Sequence, residues 1–538
     1  MKKNNFLKLS YYFILLVLTL VYIIYRIFFT IPTKLGTLSL ILALIVLFVE
    51  IWESFDFFVY YLNILSVKKY IPKTPNIDLN QNNCPDIDIF IATLNESPDL
   101  LRNTINSCLN LKYPDKNKLH IYLCDDGNRN YIKQLADELN INYLTRTTNK
   151  DSKSGNYNSA LKKTTSPYIA TFDADMAPLP DFLLTTLPYF LSSTQKIGFV
   201  QTPQSFTNPD IFQYRFKLED NIPFEQDYFY HELQIAKNTT NSAVCCGTNT
   251  LFSREALNKT NGFATGTISE DIATGMLIES KGYKCIAIND IKAYGTSTND
   301  LDSFIKQRSR WARGCVQMLK KYKILTCKGL SLRQKLEYLS CVSYWFFGVK
   351  RMIYLITPLL FSIFGIIIVD CNLKTFIAIW LPQYLLKRYV LDKAEHNKRS
   401  ATWNKIYETI LAPILSKEVT KEFLGFTKTN FEVTPKYMTK NKKMSKQNKK
   451  LLFKHLGLLS LNILGLILCL LKLYNNNLTI YILSLVWTIS NIFYLTIATI
   501  FDTRIKNYNY NNFVPNKITQ YSAKSIFLIF FNRRKKHA

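Results

Sequence analysis

Two apolar runs near the start of the chain constrain its fold more than any other feature. No charged residue falls between Leu9 and Tyr25, nor between Leu35 and Val49, where the second run continues past Glu50 through Ile51-Trp52. With its flanks, each is long enough to cross a bilayer as a helix. Lys2, Lys3 and Lys8 precede the first run, which predicts a cytoplasmic N-terminus. Phe29-Thr30-Ile31-Pro32 is no small-residue cleavage site and a second run follows at once, so the first reads as an anchor and not as a cleaved signal.

The far end of the chain repeats this character. Met352–Val369 reads as a span with Lys350-Arg351 on its cytoplasmic flank. Thr375–Leu386 is short, contains Pro382 and needs Tyr389-Val390 to complete a crossing. Leu456–Leu471 and Leu478–Phe501 form a closing hairpin around Asn475-Asn476-Asn477, whereas Leu336–Gly348 and Ala401–Phe423 read as amphipathic, interfacial helices. About six spans result, with both termini inside and a basic tail at Arg533–Lys536, in a multi-pass protein of the plasma (inner) membrane. Hydrophobic residues at 48% and aromatics at 14% agree with that class. The net charge of +28 is carried beside the apolar runs, as in the lysine-rich, acid-free stretch from Lys436 to Lys450. It is therefore read as contact with anionic membrane lipids, with no nucleic-acid partner.

Between these ends, from about Val67 to Gln334, the pattern changes to short β-rich runs alternating with helical stretches. Ile87–Thr93, Leu119–Cys124, Tyr168–Phe172 and Ile197–Gln201 read as strands. Such alternation predicts a mostly parallel sheet covered on both faces, with ligands at the carboxyl ends of its strands. The expected organisation is an N-terminal hairpin (1–66), a cytosolic α/β domain (67–334), a helical membrane region (335–501) and a basic tail (502–538). The eleven cysteines show no CxxC pair and the five histidines no cluster, so zinc and disulfide frameworks are not expected.

Three acidic groups fall at the ends of the predicted β/α units: Asp125-Asp126-Gly127, Asp173-Ala174-Asp175 and Ser269-Glu270-Asp271. A diphosphate leaves readily when a hard divalent cation held by carboxylates neutralises its charge. Asp173 and Asp175 are the expected ligands of Mg²⁺ or Mn²⁺, with Lys153 and Arg310 adding fixed positive charge. One further carboxylate is then needed as a general base for an acceptor hydroxyl, and Asp271 is the candidate. Its place at a helix start, behind a serine cap, lowers a carboxylate's pKa and works against that role. In Gln307-Arg308-Ser309-Arg310-Trp311, Gln307, Arg310 and Trp311 share one helical face. That face offers an amide, a cation for a departing phosphate and an indole for a sugar ring.

Together these motifs resemble the processive, membrane-embedded family-2 glycosyltransferases of GT-A fold, and among them the bacterial cellulose synthase catalytic subunits. The resemblance runs from about Ile87 to Phe501. It implies that Thr93, Asn95 and Glu96 hold the uridine, that Asp125 and Asp126 contact the nucleotide, and that Lys153 in Lys-Ser-Gly-Asn faces UDP. It places Gln201-Thr202-Pro203 on a strand and loop of the site, and Cys246, Gly247 and Thr248 beneath the acceptor sugar. The usual Thr-Glu-Asp is Ser-Glu-Asp here, with Glu270 beside the base Asp271. Gln307 and Arg310 are implied at the UDP, and Trp311 under the terminal glucosyl unit. Phe431-Glu432-Val433-Thr434-Pro435-Lys436 resembles the gating loop (430–436), which would bring Thr434 and Lys436 to the phosphates. The resemblance implies UDP-glucose as donor, a β-1,4-glucan as product passing through the helices, and an extracytoplasmic accessory subunit as a partner. The 502–538 tail is shorter than the cyclic di-GMP-binding domain of many relatives, so regulation through such a domain is not expected of this chain. Two other outcomes stay open at this point: a different β-linked polymer (β-1,3 or mixed-linkage glucan, or a hyaluronan-like chain), or single-sugar transfer to a lipid carrier.

Overall fold

The computed structural model describes residues 2–64, 72–219, 221–298, 300–393, 400–427, 444–473 and 478–504, together with 526 and 529. Between the N-terminal helices and the helical C-terminal region lie ten strands: β1 Ile87–Thr93, β2 Leu119–Asp125, β3 Asn142–Leu144, β4 Tyr168–Asp173, β5 Ala177–Pro178, β6 Ile197–Gln201, β7 Ser205–Phe206, β8 Thr250–Ser253, β9 Lys284–Ala287 and β10 Ala293–Gly295. Seven form a mixed sheet in the order β3-β2-β1-β4-β8-β6-β9, and β5, β10 and β7 form a small second sheet. All pairings in the large sheet are parallel except those of β8, which runs antiparallel to β4 and β6. This is the GT-A-like arrangement. The order reverses between β1 and β4, so a crevice opens beyond their carboxyl ends. There Ala92 is in register with Asp173, and Thr93 with Asp125. Strand bounds agree with the sequence-based expectation to within one residue. Apolar clusters cover both sheet faces, with Ile91, Phe172 and Leu251 on one and Phe90, Phe199 and Phe252 on the other.

Among the described residues, five helices are long and apolar enough to cross a membrane: Leu9–Phe29, Thr37–Val59, Phe347–Phe364, Lys446–Lys472 and Tyr481–Thr503. The expected sixth span corresponds to the helix Leu373–Lys393, which is longer than anticipated but too rich in basic residues to join that group. It nevertheless runs antiparallel along the first helix. Tyr389 meets Tyr11 with ring centroids 5.5 Å apart, Gln383 donates to Thr19 Oγ1 at 3.4 Å, and Phe376 meets Tyr22 at 6.4 Å.

Other boundaries need correction. The segment expected as one interfacial helix, Leu336–Gly348, is split. Leu332–Tyr344 starts at a Ser331/Gln334 capping box, the chain turns at Trp345-Phe346, and the next helix runs Phe347–Phe364. That span ends earlier than the expected Val369 because Gly365 takes a left-handed conformation (φ 72°). Ala401–Phe423 has the expected bounds but is not an amphipathic surface helix. Trp403, Ile406, Ile410, Leu411 and Leu415 place it within the largest apolar cluster, packed on the helix Leu301–Tyr322 of the α/β domain. The loop 430–436, with Thr434 and Lys436, and the Asn475–Asn477 turn lie outside the described residues.

Prolines inside two of these helices explain their polar neighbours. Pro358 has no N–H to give the Tyr354 carbonyl, and Asn491 Nδ2 donates to that oxygen instead, at 3.1 Å. Pro413 likewise frees the Thr409 carbonyl, which lies 3.3 Å from His455 Nε2, while His455 Nδ1 pairs with Asp502 at 2.6 Å.

Candidate active site

The crevice between β1 and β4 is shaped first by two arginines that the sequence reading passed over. Arg129 reaches back across the end of β1, donating to Thr93 Oγ1 and to the Glu96 carbonyl, both at 2.7 Å. Glu96 in turn accepts from Thr93 Oγ1 and the Leu94 amide, stapling the Thr93–Glu96 loop that lines the cavity. Asp125 sits behind this loop. It is fully buried, absent from the cavity lining, and consumed by Arg129, Tyr143 OH and the Gly127 and Arg129 amides at about 2.9 Å. It shapes the turn. Asp126 does line the cavity, gripped by Arg146 through two bonds of 2.6 and 2.7 Å.

At the end of β4, Asp173 and Asp175 both line the cavity. Lys153 Nζ bridges Asp173 Oδ1 (2.5 Å) and the Gly247 carbonyl (2.7 Å). Burial works against the charge of Lys153, but Asp173, Tyr157 and Glu270 more than offset it, so its pKa is raised and it remains a cation. The helix that carries it, Ser152–Lys163, is drawn close by Gly155, where a Cβ would fall 2.1 Å from the Lys150 carbonyl. Thr248 braces the turn at the end of β4. It is buried outside the lining, and its hydroxyl accepts from the Asp173 amide at 2.9 Å, so it positions the Asp-x-Asp turn from behind. Cys246 lines the cavity, with its amide held by Gln201 Oε1 at 2.8 Å. Gly247, at φ 72°, brings the backbone against Asp271, since a Cβ there would lie 3.0 Å from the Asp271 Cβ.

Among the described residues, no group of three or more His, Cys, Asp or Glu side chains forms a metal cage. Two aspartates nonetheless suit a hard divalent ion that takes its remaining ligands from phosphate oxygens and water, as Mg²⁺ usually does. The donor set of Asp173 and Asp175 fits that group.

Helix Glu270–Ser280 begins with the Ser-Glu-Asp motif, but Ser269 makes no side-chain cap bond. Its hydroxyl instead packs where a Cβ on Gly314 would lie 2.1 Å away, at the crossing with helix Leu301–Tyr322. The expected hydroxyl cap is therefore not formed. The conflict over Asp271 also resolves. Burial raises its pKa and outweighs the opposing bond from the Ile272 amide (2.8 Å) and the field of Lys153. Glu270 beside it is raised to about 8, by burial and then by Asp271.

Helix Leu301–Tyr322, capped by Asp300, carries Gln307, Arg310 and Trp311 into the cavity as the helical spacing implied. Burial lowers the Arg310 pKa, while Glu270, Asp173 and Asp271 counter the shift. Trp345, from the turn between the next two helices, meets Trp311 edge-on with centroids 6.4 Å apart. The cavity holds about 1800 Å³. It runs without a break from Thr93, Asp126 and Asp173, past Asp271 and Trp311, to Lys350, Lys405 and Glu408 on the helices of the C-terminal region.

The chain is similar to known proteins over much of its length. Residues 88–260 match Glycosyl transferase family 2, and residues 253–395 match Cellulose synthase. The chain is 32% identical over 382 residues to a cellulose synthase catalytic subunit [UDP-forming] of Pseudomonas fluorescens, covering 71% of this chain and 51% of that protein. It is 32% identical over 428 residues to the one from Xanthomonas axonopodis pv. citri, covering 78% and 58%. The chain thus spans little more than half the length of these relatives. Among solved structures, a mannosyltransferase from Pyrobaculum calidifontis in complex with GDP-Man and Mn²⁺ aligns at 18% identity and a TM-score of 0.47, covering 72% of this chain and 100% of that one.

Proposed function

We propose, for a chain that belongs to the family-2 glycosyltransferases of the cellulose synthase type, that it adds glucose from UDP-glucose to a β-1,4-glucan and passes the product out through its own helices. The observation that carries this reading is the single cavity joining Asp173, Asp175, Asp271 and Trp311 to the membrane helices. Transfer of one sugar to a lipid carrier needs no such corridor.

Chemistry follows from the residues in order. Trp311 stacks the terminal glucosyl unit and Asp271 takes the proton of its hydroxyl as that oxygen attacks the anomeric carbon. One displacement converts an α-linked donor into a β-linked product, with no covalent enzyme intermediate. The burial that raises the Asp271 pKa makes it a stronger base than an exposed aspartate. Lys153 and Arg310 set fixed positive charge where the diphosphate departs. Asp173 and Asp175 would hold Mg²⁺ or Mn²⁺, which supplies further charge neutralisation to that leaving group.

The antiparallel pairing of Leu373–Lys393 with the first helix supports a sixth crossing, which puts the catalytic domain and both termini on the cytoplasmic side of the plasma (inner) membrane. A multi-pass chain in contact with anionic lipids, and an accessory subunit where the glucan emerges, complete the reading by family analogy.

The test is incubation of membranes containing the chain with separately labelled UDP-sugars, followed by linkage-specific digestion. Polymer from UDP-glucose that yields to a β-1,4-glucanase is expected. Polymer that yields only to a β-1,3-glucanase, polymer made from a UDP-amino sugar, or a single-sugar lipid would each replace this reading.

A further inference from the structure

Arg308 lies between Gln307 and Arg310 in its motif and lines the same cavity, yet its side chain is held differently from theirs. It is buried, and its guanidinium stacks on two rings of its own helix, with Cζ 4.5 Å from the centroids of both Phe304 and Trp311. Phe304, Arg308 and Trp311 are spaced i, i+4 and i+7, so they form one stripe. Glu225 closes an ion pair on Arg308 Nη2. With its amide oxygen turned toward the guanidinium, Gln226 accepts from the same fork at 2.8 and 2.9 Å. Glu225 is itself fixed, because its backbone amide donates to buried Asp210 at 2.6 Å and Phe224 stacks on Phe206 at 4.8 Å.

We propose that Arg308, locked by Glu225, is a positioning residue that holds the Trp311 indole at the tilt required for acceptor stacking. This rests on the reading of Trp311 as the acceptor platform. A planar guanidinium lies over one face of the indole and Trp345 packs against the ring at a steep angle of 66°, which restricts its tilt while the indole still lines the cavity. Because Glu225 neutralises the guanidinium, Arg308 adds little net charge at the diphosphate, so its effect falls on the acceptor and not on UDP. Tilting the indole would swing the terminal hydroxyl away from Asp271 and leave the donor open to water. Lysine cannot substitute, since an ammonium is a compact point charge that neither lies flat on two rings nor forks to Glu225 and Gln226.

The experiment uses the full chain in nanodiscs with UDP-glucose and Mn²⁺. It compares Arg308→Lys, Glu225→Gln and Trp311→Ala for UDP released, glucosyl units polymerised, and UDP affinity. In both Arg308→Lys and Glu225→Gln, polymerisation is expected to fall roughly tenfold, the ratio of UDP released to glucose transferred to rise severalfold, and UDP affinity to stay within about twofold. A misfolded variant would lose UDP binding as well, and Glu225→Gln leaves the helix sequence intact as a second probe. Loss of UDP affinity in step with polymerisation in both variants, while each keeps the thermal unfolding midpoint of the unaltered chain, overturns the proposal and makes Arg308 a diphosphate ligand. An unchanged release-to-transfer ratio in both, while Trp311→Ala raises it, overturns the clamp alone. An unchanged ratio in Trp311→Ala removes the acceptor reading beneath it.

Discussion

The α/β domain and the membrane helices place polar and apolar side chains in opposite ways. Around the sheet, Phe172, Ile91 and Leu251 have no exposed surface, whereas in the helical region Leu471, Phe364 and Val486 are 58–70% exposed. That same region buries Asn462, Asn491, His455, Thr488 and Asp502 almost completely. One solvent explains the first arrangement and another the second. Lipid rewards exposed leucine, and helices meeting inside it are held by packing and hydrogen bonds. The contrast extends to charge. In the domain, some buried carboxylates are paired, as Asp125 is with Arg129, and others are raised in pKa by burial, as Asp271 and Glu270 are in the cavity and Glu279 is away from it.

The most severe challenge to this contrast is Asp271→Asn, because it removes chemistry without removing packing. Glucan synthesis should fall by about a thousandfold or more while UDP binding persists. Residual synthesis at near-normal rate would remove the base from Asp271. Next come matched truncations in the two regions, read by unfolding in detergent. Phe172→Ala, whose ring packs edge-on against Phe182 at 5.0 Å, should cost about 3–5 kcal/mol. Val486→Ala on the exposed face of its helix should cost less than about 0.5 kcal/mol. Equal costs would mean that this helix face is not turned to lipid. Reversing polarity makes a smaller change. Asn491→Leu leaves the Tyr354 carbonyl without its donor beside Pro358, and a loss of about 1–2 kcal/mol is expected in the same assay. A neutral or stabilised variant would show that the proline gap needs no partner.

The smallest expected effect is on pH. Glu270, with a pKa of about 8, is neutral below that value and ionises above it, adding negative charge beside the donor site. The KM for UDP-glucose should therefore rise a few-fold between about pH 7 and 9, and Glu270→Gln should flatten the rise. A KM that is level across this range in the unaltered chain would rule out the ionisation of Glu270 as a determinant of donor binding. On the acid side, the raised pKa of Asp271 predicts that kcat declines sooner than an ordinary aspartate would allow.

The sheet was legible in the sequence because strand periodicity is local. Ile87–Thr93 and Ile197–Gln201 coincide with the expected runs. The acidic motifs were legible for the same reason, since a strand end is a fixed address in this fold. Which way each side chain turns there was not legible. Asp125 and Asp126 are neighbours with opposite fates because Arg129 and Tyr143, distant or unremarked in sequence, claim the first. Thr248 faces β4 and not the cavity for a similar, non-local reason. Ala401–Phe423 read as interfacial because its lysines and glutamates suggest a wet face, but neighbours supplied by other parts of the chain enclose it. Arg308 carried a weak signal all along, an arginine four residues after a phenylalanine and three before a tryptophan. Its carboxylate partner lies 83 residues away, in a loop with no motif.

The contact between Thr19 and Gln383 spans 364 residues of chain. During synthesis the first helix therefore enters the bilayer long before its mate exists, and the whole catalytic domain must emerge and fold in the interval. A ribosome stalled anywhere before Gln383 leaves a half-built bundle whose polar stripe has nothing to meet. Assembly of this pair of helices is therefore a late event, set by the length of chain between its two halves.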